Sequence, residues 1–463
     1  YKPGVFYVEY QHDATPFVSI IIPTKDKLEI LEPCVSSLLE KTRYQHFEVI
    51  VVDNNSSKPE TLEYFDKIQR DDSRVSVIKY PEPYNYSAIN NLAAKQAKGD
   101  YLVLLNNDTA VIKEDWLERM LSLGQREDVG IVGARLLYPD ATIQHAGVVV
   151  GMTGIADHSH IGAETESPGY MGQNLTVRGV SAVTAACLLI KKDLFFSVNG
   201  LDEEHFAVLF NDVDLCLKVG KQGSRIVYTP YALLMHHGSF SLKKKVNKPD
   251  DAAHRQQECL ALVQKWLPVL ANDPAYNRNL CLYSQDVAPE ERFIPGWDMH
   301  RHDCLRVVVF PANDWCDANF AAKPVFSQLQ KNNGLRCSYI TTHNDVGKRA
   351  LEPAELERGK PDVLLFHTSM SDSYLKALEY YSVFNKSAFK VLMLDDPQCF
   401  PSTKRKKRSK RGEEKEQRIR KALASCDRLL VTTRQLEEAW SSVIDDIKVV
   451  PGHVEMQNWD ELS

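Results

Sequence analysis

Tyr101-Leu102-Val103-Leu104-Leu105-Asn106-Asn107-Asp108-Thr109 is a short apolar run that stops on an acidic tip. So brief a run between polar borders suits a buried strand better than a helix. An α/β protein presents its ligand-binding groups at the carboxyl edge of its sheet, just beyond such strands. Asp108 therefore leads as a metal or diphosphate ligand, against the plainer alternative that Asn-Asn-Asp-Thr is only a turn.

Outward from this stretch the same grammar repeats. Residues 18–22, 49–52 and 75–78 read as further strands, and 28–41, 59–69 and 87–98 carry apolar residues at helical spacing. Such a βαβ series predicts a mostly parallel sheet with helices on both faces. Beyond Asp108 the regularity breaks. A helix over 114–123 precedes a Gly- and His-rich stretch, 130–179, after which 182–190 and 225–228 read as strands and 212–220 and 252–270 as helices. A second alternating series opens at 305–310 and continues at 338–341, 363–366, 391–394, 428–432 and 448–450. The organisation expected is a lead-in over 1–16, an α/β domain over 17–272, a linker over 273–302 and a Rossmann-like α/β domain over 303–463.

A length of 463 residues exceeds one ordinary core, and 43% hydrophobic with 25% charged residues is ordinary for a globular protein. The net charge of -6 gives no basic face for nucleic acid. Locally, 404–411 (Lys-Arg-Lys-Lys-Arg-Ser-Lys-Arg) is a concentrated basic run, read either as a solvated loop entering a charged helix or as a peripheral contact with an anionic membrane surface or phosphate. Ten scattered cysteines without a C-x-x-C pair argue against a disulfide framework or structural zinc site and suit a reducing cytoplasm. No apolar run is long enough to span a bilayer, and no signal peptide precedes the first strand. Beginning at Tyr1 rather than Met, the sequence is expected to be part of a longer protein.

The first strand ends in Pro23-Thr24-Lys25-Asp26 without a glycine-rich phosphate loop, which disfavours a dinucleotide dehydrogenase, a P-loop NTPase and a nucleotidyltransferase. The second ends in Asp53-Asn54-Asn55-Ser56, where a carboxylate can accept from a ribose or base or simply close a turn. Asn211-Asp212-Val213-Asp214 opens a helix; two residues apart, its carboxylates face different sides, so one can serve a cleft while the other pairs. His236 and His237 follow in a loop, where an imidazole can complete a metal shell.

Taken in order, these elements resemble a family 2 glycosyltransferase of the GT-A fold, in the branch that builds bacterial O-antigen and related polysaccharides. The resemblance spans 17–241. Its carriers are Val18-Ser19-Ile20-Ile21-Ile22-Pro23-Thr24, Val51-Val52-Asp53-Asn54-Asn55-Ser56, Tyr84-Asn85-Tyr86-Ser87-Ala88-Ile89-Asn90-Asn91, the run from Gly99 to Asp108, Thr184-Ala185-Ala186-Cys187-Leu188-Leu189-Ile190, Asn211-Asp212-Val213-Asp214 and His236-His237. It implies an inverting transferase taking a dTDP- or UDP-sugar to a hydroxyl of a growing glycan or lipid-linked acceptor, with Mn2+ or Mg2+ as cofactor. By the same resemblance Pro23, Thr24, Asp53, Asn55 and Asn107 bind nucleotide, Asp108 and His236 hold the metal, and Asp212 is the general base. Asn90, Gln144, His145, Arg178, Asn211 and His237 would line the sugar or acceptor cleft. Asn106 departs from the acid expected at the first position of the family's D-x-D motif, leaving Asp108 its only carboxylate. That departure sustains a rival expectation, a non-catalytic carbohydrate- or nucleotide-binding scaffold. The C-terminal part resembles, more weakly, half of a GT-B glycosyltransferase, and no active site is assigned there.

Overall fold

The computed structural model describes residues 6–238, 249–290, 304–310, 335–340, 351–367, 372–394 and 410–450. Two compact units divide the chain, Tyr1–Ala288 and Pro289–Ser463. The basic run 404–411 lies outside the described residues, apart from helical backbone from Lys410 onward. Among the described residues no helix is long and apolar enough to cross a membrane.

In the first unit, β1 (Val18–Thr24), β2 (Phe47–Asp53), β3 (Val75–Lys79) and β4 (Tyr101–Leu105) alternate with α1 (Leu28–Lys41), α2 (Pro59–Asp71) and α3 (Tyr86–Gln96). There follow β5 (Thr109–Val111), α4 (Trp116–Gly124), β6 (Val129–Leu137), β7 (Ile143–His145), β8 (Val148–Val150), β9 (Ala156–His158), β10 (Arg178–Val180) and β11 (Cys187–Lys191). The unit's remaining elements are α5 (Lys192–Ser197), α6 (Asn211–Lys221), β12 (Arg225–His236) and α7 (Pro249–Ala271). The large sheet runs β10-β12-β6-β11-β4-β1-β2-β3, with β5 on β12 and β7 on β6. Strands β4, β1, β2 and β3 are parallel neighbours, β11 runs against β4 and β6, and β6 and β12 are parallel. The expected mostly parallel α/β sheet with covering helices is thus borne out, with the antiparallel pairs concentrated after Asp108.

Burial explains the apolar runs: every residue of β1, β2 and β4 is buried. Their core takes in Leu31, Val35 and Leu38 of α1 and Trp116, Leu117 and Met120 of α4. Helix α3 starts where Asn85 accepts a hydrogen bond from the Ala88 amide, the side-chain cap that frees a chain to turn helical.

Three readings change in the first unit, and in the second the strand read at 338–341 lies at Leu335–Tyr339. Residues 182–186 are not strand; β11 begins at Cys187, because the Ala185 amide is taken by the Asp212 carboxylate instead of a neighbouring strand. Strand β12 does not stop at Tyr228: its register on β6 shifts between Thr229 and Leu233, around Pro230, and the strand continues to His236. His236 is therefore a strand end, not a loop residue. Residues 273–288, read as the start of a connector, pack on the first unit. There the Asp273 carboxylate accepts from the Val150 and Ala275 amides at 2.8 and 2.7 Å and from the Ser181 hydroxyl, while Tyr276, Leu280 and Leu282 cluster with Val149 and Met152.

Gly151 fixes the end of α7. Its φ is +84°, and an added Cβ would sit 1.9 Å from the Leu270 carbonyl oxygen. Gly151→Ala is therefore expected to cost about 3 kcal/mol, from left-handed strain and a backbone clash together. Equilibrium denaturation measures it, and an unchanged midpoint would contradict the close approach.

The second unit is a six-stranded, wholly parallel sheet. Its strands β13 (Leu305–Phe310), β14 (Leu335–Tyr339), β15 (Val363–His367), β16 (Phe389–Leu394), β17 (Arg428–Val431) and β18 (Ile447–Val449) stand in the order β14-β13-β15-β16-β17-β18. Apolar clusters line both faces, as the Rossmann-like reading expects.

Candidate active site

Parallel register brings the strand tips together. Thr24 pairs with Asp53 and Ile21 with Leu104, so Thr24, Asp53 and Asn106-Asn107-Asp108 share one edge of the sheet. Because β11 is antiparallel, Cys187 pairs with Leu105 and puts Ala185-Ala186 at that same edge. His236, at the end of β12, pairs with Thr109 of β5. The sequence builds this convergence with ordinary buried strands that end in polar residues.

Asp108 and His236 face each other, Oδ1 to Nε2 at 3.0 Å. On its other side the imidazole Nδ1 lies 2.5 Å from the Gln144 Oε1. A carbonyl oxygen only accepts, so Nδ1 carries a proton, and Nε2 is the nitrogen left to meet Asp108, donating to the carboxylate when protonated and offering its lone pair when a cation lies between them. Asn106 stands beside that nitrogen: its Nδ2 lies 3.2 Å from Nε2, while its Oδ1 accepts from the Tyr86 hydroxyl at 3.4 Å. An amide can donate to that lone pair; an ionised aspartate at 106 could not. Burial pushes the Asp108 carboxyl up, but the hydrogen bond and charge of His236 outweigh it and hold the group below the usual carboxylate range. Asp108 is therefore an anion throughout the neutral range.

This donor set fits a hard divalent cation. A carboxylate oxygen and an imidazole nitrogen with a facing lone pair stand about as far apart as neighbouring ligands of an octahedral ion with bonds of roughly 2.1 Å. Among the described residues no group of three or more His, Cys, Asp or Glu side chains gathers into a metal site. The protein offers two ligands, which matches the habit of Mg2+ and similar ions of taking the rest from phosphate and water.

Asn107 donates to the Thr24 hydroxyl at 2.9 Å, tying the tip of β4 to that of β1. The buried Asp53 accepts from the Ser56 amide at 2.8 Å, so it closes the turn after β2. Within that turn Asn55 is exposed, has φ +58° and donates to the Pro81 carbonyl at 2.7 Å. Pro23 is buried in β1.

Asp212 reaches the same edge from α6, its Oδ2 accepting from the Ala185 amide at 2.9 Å. The Ala185 carbonyl accepts from the Tyr86 hydroxyl at 3.2 Å. Hydrogen bonds thus run from Asp212 through Ala185, Tyr86 and Asn106 to His236 and Asp108. Asp214 points the other way, as its spacing predicts: fully buried, it meets Trp266 Nε1 at 2.8 Å, Lys265 at 2.7 Å and Lys218 at 3.2 Å.

The remaining residues of the expected cleft are placed differently. Gln144 joins the set through His236, and the His237 amide donates to the Asp108 carbonyl at 3.0 Å. Asn90 is wholly buried with its amide on the Tyr86 carbonyl, and Asn211 is buried with its amide on the Val208 carbonyl. Arg178 spends its guanidinium on the Ala146 and Gln173 carbonyls, above the Tyr228 ring. His145 is wholly buried, its Nδ1 lying 2.8 Å from His158 Nδ1. Burial, together with the charges of His158, Arg178 and His236, holds its pKa well below the usual histidine value, so it stays neutral. The structure does not bring His145, Arg178 or Asn211 into the hydrogen-bonded set, whereas Asn90 lies against Tyr86 within it. Tyr86 and the Ala185 backbone were missed as its centre, although both lie within the quoted motifs.

The family model described as glycosyl transferase family 2 matches residues 19–195. An uncharacterized protein of Sinorhizobium fredii, y4gI, is 46% identical over 59% of this chain and 30% of its own length. The O-antigen biosynthesis protein RfbC of Myxococcus xanthus is 40% identical over 61% of this chain and 22% of its own length. The chain thus matches less than a third of either relative. A mannosyltransferase from Pyrobaculum calidifontis, solved in complex with GDP-Man and Mn2+, has a TM-score of 0.39 and 16% identity over 55% of this chain and 64% of that chain.

Proposed function

We propose, from the match of residues 19–195 to the family 2 glycosyltransferase model, that the chain is an inverting transferase moving a sugar from a nucleoside diphosphate to a hydroxyl of a growing surface polysaccharide or lipid-linked glycan. The observation that carries this reading is the hydrogen-bonded chain between Asp108 with His236 and Asp212, with both carboxylates at the carboxyl edge of one sheet. The kinship with an O-antigen biosynthesis protein supports a glycan acceptor.

In this mechanism Asp212 takes the proton of the acceptor hydroxyl as its oxygen attacks the anomeric carbon from the face opposite the diphosphate. One carbon–oxygen bond forms as the other breaks, the configuration inverts, and the nucleoside diphosphate leaves with the bonding electrons. Asp108 and His236 would hold Mn2+ or Mg2+, and with the ion bound the charge growing on the departing diphosphate is offset there. Gln144 keeps the His236 lone pair turned to that position, and Asn106 holds the imidazole from the side. Thr24, Asn107 and the Asp53 turn form the floor against which nucleotide would lie. Such a transferase works on the cytoplasmic side, where nucleotide sugars are available, and the basic run 404–411 would supply its contact with the membrane surface.

A panel of dTDP-, UDP- and GDP-sugars, incubated with the chain, Mn2+ and a glycan acceptor, is expected to give acceptor-dependent release of nucleoside diphosphate from one of them. Nucleotide binding with no release from any donor would favour the non-catalytic scaffold instead.

A further inference from the structure

Helix α6 begins without a capping side chain at its N-cap. Its N-cap residue, Phe210, sits at φ +58° and provides no side-chain hydrogen bond to the free amides of the first turn. The two amides just before it, of Val208 and Leu209, are instead bound by one carboxylate from elsewhere: Glu258 of α7 accepts them at 2.9 and 3.0 Å. Glu258 is 8% exposed, and a buried carboxylate is kept only where donors satisfy it. Its negative charge also lies at the amino end of α6, where the helix dipole favours it.

The same helix holds the opposite side of that first turn. Trp266 Nε1 and Lys265 Nζ meet the buried Asp214, and Lys265 reaches Asp202 as well, at 3.2 Å. Asp212 stands between these anchors. Its Oδ2 reaches out of the helix to the Ala185 amide, and its Oδ1 takes the Val213 amide of the turn itself at 2.8 Å, so the placing of the carboxylate depends on how the turn is held.

We propose that α7 is the positioning element of the transfer reaction. Glu258 fixes the approach to α6, Trp266 fixes Asp214, and together they set the Asp212 carboxylate against the acceptor. This rests on the assignment of Asp212 as base. Neither residue reaches the strand tips assigned to nucleotide and metal, so the turnover step depends on them and donor binding does not.

The test compares wild type, Glu258→Gln, Asp212→Asn and the double variant, each as the full chain, with kcat and KM for the donor found by nucleotide release and with thermal midpoints. Glu258→Gln keeps the shape and one good acceptor but loses the charge and the second. Its kcat is expected to fall by about tenfold to a hundredfold, as a displaced catalytic group requires, with the donor KM within about twofold of wild type. The double variant is expected to be no slower than Asp212→Asn alone, because residues acting through one group are not additive. Trp266→Phe, which removes the Nε1 donor and trims the indole to a smaller ring, is expected to repeat the kcat loss and the non-additivity, and it carries the test if Glu258→Gln does not fold. A lowered midpoint with wild-type kcat in these variants would overturn the positioning role, as would a rise in donor KM with kcat unchanged, or a further multiplied loss in the double variant. Full activity in Asp212→Asn would instead overturn the base assignment, and the positioning proposal with it. Inactive Asp212→Asn beside a wild-type Glu258→Gln and Trp266→Phe would overturn the positioning alone.

Discussion

Asp212→Asn is expected to lower kcat for sugar transfer by about a thousandfold, in the range that loss of a general base produces, while leaving donor-nucleotide affinity within about twofold of wild type. The expectation follows from how Asp212 is held. Oδ2 accepts from the Ala185 amide and Oδ1 from the Val213 amide at 2.8 Å, so backbone orients the carboxylate without neutralising it. Asparagine has the same shape and can still accept one of those bonds, so the fold and the strand tips proposed to hold nucleotide have no reason to move. What it lacks is a lone pair basic enough to take the proton of an alcohol. Isothermal titration of the nucleoside diphosphate and steady-state transfer separate the two quantities. Residual transfer near the wild-type rate would remove Asp212 from the mechanism and redirect attention to the histidines.

The parts of this site that were legible in the sequence are those where local pattern and tertiary position coincide. Asp108 follows a strand too short and apolar to be anything but buried, and the parallel register of β1, β2 and β4 makes its neighbours at the edge Thr24 and Asp53. Asp212 and Asp214 were separable by helical geometry alone, and they part as expected, one to the Ala185 amide and the other to Trp266. His236 was misplaced because Pro230 reads as the end of a strand, whereas the shift of register between Thr229 and Leu233 absorbs it and carries β12 onward. The Gly- and His-rich insert gave no period to read. The buried pairing of His145 with His158, and the diversion of Arg178 to backbone carbonyls, depend on a fold that irregular sequence does not announce. Glu258 was illegible for a different reason: its partners lie about fifty residues away in sequence and are backbone amides, which carry no residue identity.

Asp108→Ala is expected to remove the metal dependence of nucleotide binding. For wild type, affinity for the nucleoside diphosphate measured by calorimetry should rise at least about tenfold when Mn2+ replaces a chelator, since a divalent ion joins a carboxylate to diphosphate oxygens. In the variant the two values should converge, and transfer should fall by about a hundredfold or more, as for loss of a preorganised electrostatic group. The size of the effect follows from Asn106. Where two acids share an ion, losing one leaves a charge behind; here Asn106 is committed as an amide between the Tyr86 hydroxyl and His236, so among the described residues Asp108 holds the only carboxylate paired with the imidazole. His236 cannot compensate, because a neutral nitrogen does not balance the charge of the ion. His236→Gln should therefore be the milder change, weakening the metal-linked gain in affinity without erasing it. If nucleotide binds Asp108→Ala with an undiminished response to Mn2+, the ion sits elsewhere, and the pairing of Asp108 with His236 is a structural ion pair across the tip of the sheet.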